Sequence, residues 1–419
     1  MAAPVEDSLP TSDEEPGPPS AGGPFLSLRD RDFRLFWYGT VSVGFSQWGQ
    51  QIGLNWLVFV LTGSAVQLGA VSFVGGVLAL VLTPYAGFLA DKYSRRELMV
   101  WSTAAGTVQC VMIAVLVLLD MAEVWHAYAF AVAAAITQAV NQPARLAYVN
   151  DISTGDTFTN AMALNSIAQN ASRIVGPPLA GFIAAWSIGA CFVFVAATRG
   201  LSLIYTMLLS RRTQAPNNST ENPVQQIVSG FRYLFSDIDL TLLLLLNALT
   251  ALLVWPYVQF MPVFAEDVFG GNAQTYGWLV SMIAVGSIVG LFGLAWFPNV
   301  RYRGWIMLGS FIVYDALLIG FTQAPVLGVA LATLATAGVF FGLASTLSHT
   351  FFQAMLRPDM RGRGLAALQV AVGLAPLGAL PMGFLIDAIG IRNGVAIHFV
   401  LALTSMVIVT ALGRSLRKL

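Results

Sequence analysis

Amide side chains recur at helical spacing in an apolar stretch near the start of the chain. Gln47, Gln51 and Asn55 are four residues apart, so a helix would place them on one face. Inside a membrane an unpaired amide is costly, because lipid offers it no hydrogen-bond partner. We therefore expect this face either to border a wet cavity and contact a substrate there, or to hydrogen-bond to a neighbouring helix.

Other apolar stretches carry side chains of similar character. They complete a predicted substrate cavity, formed with Gln138, Gln169, Arg173, Asn247, Trp255, Tyr257 and His349. A cavity of amides and aromatic rings favours a bulky, partly apolar organic molecule, although a sugar would also suit the amides. Arg173 is a charge within an apolar stretch, so we expect it to bind an anionic substrate group or a carboxylate, or to act as a structural hydrogen-bond donor.

Two titratable side chains are candidate proton sites. Asp315 lies at mid-depth of an apolar stretch, where a carboxylate is expensive unless it has a function. His349 belongs to the residue type that titrates near neutral pH, with a hydrogen-bonded helix histidine as the alternative. No further acidic residue lies deep in the stretches expected to line the cavity, so the residues alone do not establish proton coupling.

The composition excludes most other classes of protein. Hydrophobic residues make up 57% of the chain and charged residues 10%, against roughly 25% charged in soluble proteins. The 21 basic and 21 acidic residues balance, so there is no basic excess to bind nucleic acid. A disulfide framework is not expected, because Cys110 and Cys191 both lie in apolar stretches. A metal site is not expected, because the three histidines are far apart and have no cysteine or carboxylate at ligand spacing. The sequence contains no Gly-rich phosphate loop and no nucleophile elbow. We expect a polytopic membrane protein that is not an enzyme and needs no metal or cofactor.

Twelve apolar stretches come close to or exceed the ~20 residues that cross a bilayer. They lie near residues 33–61, 66–90, 97–119, 125–149, 160–186, 189–210, 239–264, 275–298, 304–322, 326–353, 365–388 and 394–412. Similar small-residue turns follow the first and seventh stretches. The sequence predicts an all-α membrane protein with twelve transmembrane helices in two pseudo-symmetric six-helix halves. Its predicted regions are a disordered tail (1–28), a first half (29–210), a linker (211–238), a second half (239–412) and a basic tail (413–419).

The basic residues predict an orientation. Of the 21, only Arg392 falls on the side opposite to the termini, and Arg173 and Arg199 fall within spans. Because basic residues concentrate on the cytoplasmic side, we expect both termini in the cytoplasm and the chain in a bacterial cytoplasmic (inner) membrane. On this basic side, Asp151 is predicted to pair with Arg145.

The loop between the second and third stretches carries an ordered set of charges. Gly87, Asp91, Arg95 and Arg96 resemble the signature G-x-L-x-D-x-x-G-R-[RK] of the major facilitator superfamily, with Ser94 where glycine is usual. Gly87 allows close helix packing, and Asp91 is able to pair with Arg95 or to cap a neighbouring helix. We expect a conformational latch, with an ordinary basic loop as the alternative.

A second motif lies in the fifth stretch. Gly176, Pro177 and Gly181 resemble the antiporter signature GPxxGG of the same superfamily, with Ala180 in place of one glycine. Small residues let two helices approach closely, and proline bends a helix. We expect this antiporter-like kink to pack across the halves against the glycines within residues 286–293 of the eighth stretch.

Further segments resemble the exporter branch of the superfamily that contains the enterobactin exporter and macrolide efflux pumps, and this resemblance covers residues 30–412. The segments are Phe33-Arg34-Leu35-Phe36, Leu61-Thr62-Gly63-Ser64, Asn160-Ala161, Ala163-Leu164-Asn165, Arg173-Ile174-Val175-Gly176-Pro177 and Arg361-Gly362-Arg363-Gly364. The resemblance implies a central cavity lined by the first, fourth, seventh and tenth helices, alternating access and proton antiport. We predict a monomeric exporter of an organic solute, drug-like or siderophore-like, whose partners are that substrate, protons and the lipid bilayer. The alternatives are an importer of a small metabolite with the same fold, and a non-transporting membrane receptor or scaffold.

Overall fold

The computed structural model describes residues 25–153, 156–210, 223–296 and 302–418, without the side chains of residues 84, 86–92, 156, 223, 224 and 418. Within these ranges the chain is helical and contains no strand. Residues 1–24 of the predicted tail and residues 211–222 of the predicted linker lie outside the described residues.

Six long helices follow a short 3-10 turn in the first part of the chain. They are α1 (Arg31–Thr62), α2 (Ala65–Lys92), α3 (Arg95–Leu118), α4 (Val124–Ile152), α5 (Asp156–Trp186) and α6 (Ile188–Met207). Local signals set their ends: the Asp30 side chain accepts a hydrogen bond from the Phe33 amide at the start of α1, and Gly63 ends this helix with a φ of 60°.

The second part opens with α7 (Pro223–Leu234) and α8 (Ile238–Leu249) and then becomes irregular. A π-helical turn (Thr250–Val254), a 3-10 segment (Trp255–Phe260), α9 (Met261–Val263) and a further π-helical segment (Phe264–Val268) follow α8. Pro256 and Pro262 lie in this segment and have no amide hydrogen to donate, which accounts for the broken ladder.

Regular helices resume after this segment. They are α10 (Ala273–Trp296), α11 (Arg303–Thr322), α12 (Leu327–Met355), α13 (Arg361–Val372), α14 (Ala375–Ile389) and α15 (Ile391–Leu412). Each predicted apolar stretch therefore overlaps helix.

Nine helical segments of the described chain are long and apolar enough to cross a membrane. They lie in α2, α3, α6, α10, α11, α12 and α15, in the irregular segment Ile238–Val268 and in Arg361–Ile389. The chain is thus a multi-pass membrane protein. The long helices α1, α4 and α5 are not among the nine, and they carry most of the polar side chains singled out above.

Two closely packed helix pairs make the most extensive contacts between the first part and the second among the described residues. In one, α5 packs against α10, as predicted, but the contact glycine differs: a Cβ added at Gly277 would lie 2.5 Å from the Pro177 carbonyl oxygen. The expected glycines Gly286 and Gly290 instead lie against α12, so that expectation is wrong. In the other pair α2 packs against α14, where a Cβ added at Gly69 would lie 2.5 Å from the Ala379 carbonyl oxygen.

Candidate substrate cavity

A cavity of about 630 Å³ lies among α1, α2, α4 and α5. A second cavity of about 380 Å³ reaches toward α11 and α12. Trp48, Gln51 and Arg173 border both of them, so the two form one space, which we call the central cavity. Its size falls in the range of pockets that enclose small organic ligands.

Most of the predicted cavity residues border this space. Those on the first cavity are Gln47, Gln51, Asn55, Gln138, Gln169 and Arg173, and those on the second include Trp255 and Tyr257. The structure thereby brings these side chains together from α1, α4, α5 and the irregular segment after α8. Their contact with a substrate stays a prediction.

The three amides of α1 have different surroundings. Gln47 Nε2 donates to Gln138 Oε1 at 2.9 Å, and Asn55 Nδ2 donates to Gln259 Oε1 at 2.7 Å. Gln51 lies between them and makes no side-chain hydrogen bond to any described residue, although it borders both parts of the central cavity. The geometry assigns interhelical hydrogen bonding to Gln47 and Asn55 and leaves Gln51 free for a ligand.

Arg173 of α5 is the basic residue on the central cavity. Its guanidinium lies 6.0 Å from the centre of the Phe341 ring and makes no hydrogen bond or ion pair with the described residues. No aspartate or glutamate is among the described residues that border the cavity. One turn further along α5, a Cβ added at Gly176 would lie 2.8 Å from Trp48 Cβ, so this glycine lets Trp48 reach the cavity wall. The cavity thus offers a cation that has no acidic partner among the described residues and lies beside an aromatic ring.

Two predicted cavity residues lie elsewhere. The buried Asn247 side chain donates to the Leu243 carbonyl and to Ser348 Oγ, both at 2.8 Å, and so ties α8 to α12. His349 follows Ser348 in α12 and is exposed, and neither His349 nor Asn247 borders the central cavity. An apolar helix gives no periodic signal that tells which of its faces looks inward.

Asp315 of α11 is fully buried. Neither carboxylate oxygen has a hydrogen-bond partner among the described residues. Its neighbour Tyr314 borders the central cavity, whereas Asp315 does not. The proposed proton role of Asp315 therefore stays a prediction, as does that of the exposed His349.

The predicted latch is described in part. For Gly87 and Asp91 the structure describes the backbone, which is helical, and not the side-chain surroundings. Arg95 forms an ion pair with Asp151 and also donates to the Ala147 carbonyl oxygen at 3.2 Å. The predicted pairing of Asp151 with Arg145 is wrong, because Arg95, at the start of α3, reaches this carboxylate instead.

The second arginine of the latch has a different contact. Arg96 Nε donates to the Leu209 carbonyl oxygen at 2.6 Å, which joins the start of α3 to the end of α6. This is a contact within the first part of the chain. It stabilises the basic end of α3 by satisfying a carbonyl that the end of α6 leaves free.

An acidic side chain that the sequence reasoning did not single out joins the two parts. Asp387 of α14 accepts hydrogen bonds from Ser64 Oγ at 3.1 Å, from the Ala65 amide at 3.1 Å and from the Val66 amide at 3.4 Å. It therefore caps the first turn of α2 from a different helix. We call this contact the Asp387 cap. It lies at the end of the bundle opposite to Arg95 and Arg96.

A multi-pass helical membrane protein with a ligand-sized polar cavity between its two parts has the form of a membrane transporter. The family model described as transmembrane secretion effector, of the major facilitator superfamily, matches residues 22–417. The chain belongs to this family, which confirms the predicted superfamily and the prediction that it is a transporter and not an enzyme.

Relatives with assigned names cover most of the chain. It is 27% identical over 367 residues to a staphyloferrin A transporter of Staphylococcus aureus, covering 85% of this chain and 90% of the relative. It is 23% identical to macrolide efflux protein A of Streptococcus pyogenes, covering 80% and 85%. It is 24% identical to an enterobactin exporter of Shigella flexneri, covering 77% and 78%.

A solved structure shares the fold. The inward-facing, occupied form of a bacterial homologue of the lysosomal transporter Spinster has a TM-score of 0.71 and 14% identity, covering 92% of this chain and 97% of the other. At this identity the likeness concerns the fold alone.

Proposed function

We propose that the chain exports an organic solute, drug-like or siderophore-like, that carries an acidic group. The observation that carries this proposal is the Arg173 guanidinium, which has no acidic partner among the described residues, in a cavity whose lining includes amides, aromatic rings and small apolar side chains. A guanidinium without an acidic partner favours an anionic ligand, and the rings favour a partly apolar one. The names of the relatives, which include two exporters of antibiotics or siderophores, support the outward direction.

The proposal includes twelve spans with both termini in the cytoplasm of a bacterial inner membrane. Helices α1, α4 and α5 have the length of a span, and their polar residues border the central cavity, so their lower hydropathy has a physical reason. A polar residue within a span is tolerated where it faces a wet cavity. In this orientation the Asp387 cap lies on the outer side.

Alternating access is the proposed mechanism. The Asp387 cap and the bond from Asn55 to Gln259 hold the outer ends of the two parts together. Toward the basic end, a further cavity of about 230 Å³ separates α2 from α13. These contacts support a state that is closed outside, which a rocking motion of the two halves would convert into its opposite.

Proton antiport is the proposed energy source. Asp315 is the candidate carrier, because a buried carboxylate without a partner is destabilised when it is charged and readily holds a proton. The exposed His349 has no contact that distinguishes it from a surface histidine.

Export is tested in cells that lack their own pumps and express the full chain. The probes are staphyloferrin A, enterobactin and erythromycin, each loaded inside and followed in the medium. We expect export of at least one acidic probe, its loss on addition of a protonophore, and its loss in Arg173→Gln. Arg199→Gln is the matched control, since Arg199 is an equally basic side chain within the bundle that borders neither part of the central cavity.

Other outcomes would contradict separate parts of the proposal. Export that persists with the protonophore would exclude proton coupling. Flux that runs only inward would favour the importer. Export that is equal in Arg173→Gln and the wild type would exclude Arg173 as the anion-binding group.

A further inference from the structure

A second guanidinium, which has no acidic partner among the described residues, lies beyond the central cavity, toward the basic end of the bundle. Arg145 of α4 is 5% exposed. Its Nη2 donates to Thr40 Oγ1 at 2.9 Å and to the Phe36 carbonyl oxygen at 3.4 Å. Its Nη1 is buried and has no hydrogen-bond partner among the described residues. A buried charge is costly unless its donors are satisfied, so an acceptor at Nη1 would stabilise this guanidinium.

Arg145 borders a small pocket of about 50 Å³. Gly44, Gln47 and Gln169 border both this pocket and the central cavity, so the two spaces adjoin. A water needs ~10–15 Å³ measured in this way, so the pocket has room for about three or four waters or for one carboxylate-sized group. Asn165 completes a polar wall that faces Arg145.

The electrostatics of this region favour an anion. No aspartate or glutamate is among the described residues that border the pocket. Arg199 of α6 is also buried in this part of the bundle, and its Nε and Nη1 have no partner among the described residues. Two buried cations, with no acidic residue among the described residues that line the pocket, make the region attractive to a negative group. A guanidinium also offers the planar pair of donors that a carboxylate accepts.

The pocket and the wall of the central cavity near Arg173 lie against different turns of α1. Arg145 bonds to Thr40, whereas Arg173 and Trp48 share the wall of the central cavity. Thr40 and Trp48 are eight residues apart in α1, which corresponds to about 12 Å along the helix axis. The two guanidinium groups thus border adjoining spaces, and Gln47 and Gln169 border both of these spaces.

We propose that the pocket around Arg145 is a second anion-binding subsite, which takes an acidic, carboxylate-sized group of the transported molecule. The assignment rests on the proposed transport of an organic anion and extends it. A molecule with one acidic group binds at Arg145 before it reaches Arg173. A molecule with two acidic groups spans both subsites.

The test measures anion binding by the purified full chain in detergent, with citrate as the organic probe and inorganic sulfate as the compact one. Isothermal titration is carried out in the Arg173→Gln variant, so that the central cavity contributes little. We expect Arg145→Gln to weaken the remaining citrate binding about 10-fold to 100-fold, as the loss of a charged hydrogen bond implies. Arg145→Lys should restore part of it. Arg199→Gln should weaken it much less than Arg145→Gln does, because Arg199 does not border the pocket and acts only through its charge.

Three results would overturn the subsite. Citrate binding that is indifferent to Arg145→Gln would show that the pocket takes no carboxylate. An equal loss in Arg199→Gln would show that only total charge matters. Sulfate binding at Arg145 that is as tight as citrate binding would assign the pocket to a free inorganic anion instead of a substrate group.

Folding and transport are followed separately. The melting temperature of each variant without anion reports whether the substitution unfolds the chain, and the lysine variant remains informative if the glutamine variant does. If the wild type exports a probe while citrate binding ignores Arg145, the subsite is wrong and the proposed function stands. If the wild type exports no probe, the proposed function fails whatever the titration shows.

Discussion

The carboxylate of Asp387 joins α14 to the first turn of α2, so in the proposed orientation its removal perturbs the closure of the bundle on its outer side. Asp387 accepts three hydrogen bonds from Ser64, Ala65 and Val66. In alternating access this contact exists only in the state that is closed outside. Its loss should therefore destabilise that state and raise the population that is open outside.

The size of the effect follows from the nature of the contact. Removing a helix cap costs about 0.5–2 kcal/mol, and an exposed charge at a helix N-terminus contributes about 0.3–1 kcal/mol. Asp387 is exposed, so Asp387→Ala should remove about 1–2 kcal/mol, a factor of about 5 to 30 in the ratio of the two states. Asp387→Asn keeps one acceptor oxygen and should show a smaller shift in the same direction.

Thiol labelling from outside measures the shift. Gln51→Cys places a reporter in the central cavity, and the native Cys110 and Cys191 are buried. A membrane-impermeant reagent added to intact cells should modify the reporter about 5 to 30 times faster in Asp387→Ala. Asp120→Asn is the matched control, since Asp120 lies on the same side with a φ of 54°, which asparagine adopts readily.

Two results would refute the reasoning. Equal labelling rates in Asp387→Ala and the wild type would show that the cap does not hold the outer side closed. Equal acceleration in Asp387→Asn and Asp120→Asn would show that the outer surface charge, and not the cap, is responsible.

Three further predictions concern packing, binding and coupling. Gly277→Ala should abolish export, because its new Cβ would lie 2.5 Å from a carbonyl oxygen of α5. Gly293→Ala is the control and should export normally, because its new Cβ meets no atom within 4 Å. An export rate that neither substitution changes would contradict the close contact of α5 with α10. Gln51→Ala should raise the substrate concentration for half-maximal export about 5-fold with little change in melting temperature. Gln47→Ala should lower the melting temperature, because it leaves Gln138 without its hydrogen-bond donor. The reverse pattern would exclude Gln51 as the amide that binds the substrate. Asp315→Asn should leave the protein at least as stable as the wild type, because it removes a buried carboxylate that has no partner among the described residues. It should also abolish the effect of a proton gradient on export. Gradient-driven export that persists in this variant would exclude Asp315 as the proton carrier.

Some features of the cavity were predictable because they have a short-range signal. A spacing of four residues places Gln47, Gln51 and Asn55 on one face wherever the helix lies. Arg173 in an apolar stretch needs either a partner or a wet cavity, and the structure gives it the cavity. The family motif in α5 likewise predicted its packing against α10.

Other features depend on which face of an apolar helix turns inward. Along α10 the glycines 277, 286 and 290 are chemically equivalent, and only the fold decides that Gly277 meets α5 while the other two meet α12. For the same reason the prediction that Asn247 borders the cavity is wrong, because its side chain donates a hydrogen bond to Ser348 instead. The irregular turns after α8 shift the register further, so that regular helical spacing does not apply there.

The Asp387 cap has no side-chain signal at all. Its partners include the Ala65 and Val66 amides, and every residue except proline carries such a group. A lone acidic residue at the end of an apolar stretch is consistent with a solvated terminus. Only the approach of α14 to α2 turns it into a cap.

The magnitudes of these contacts fit a protein that changes state when it binds its substrate. The outer cap contributes about 1–2 kcal/mol to one state, whereas a hydrogen bond to the charged Arg173 contributes about 1.5–3 kcal/mol. A ligand shifts an equilibrium only by its difference in affinity for the two states. The free energies of the cap and of the charged contact are similar. In the proposed mechanism, a substrate that binds Arg173 more tightly in the outward-open state therefore supplies enough free energy to break the cap. Without substrate, the cap is sufficient to hold the protein closed.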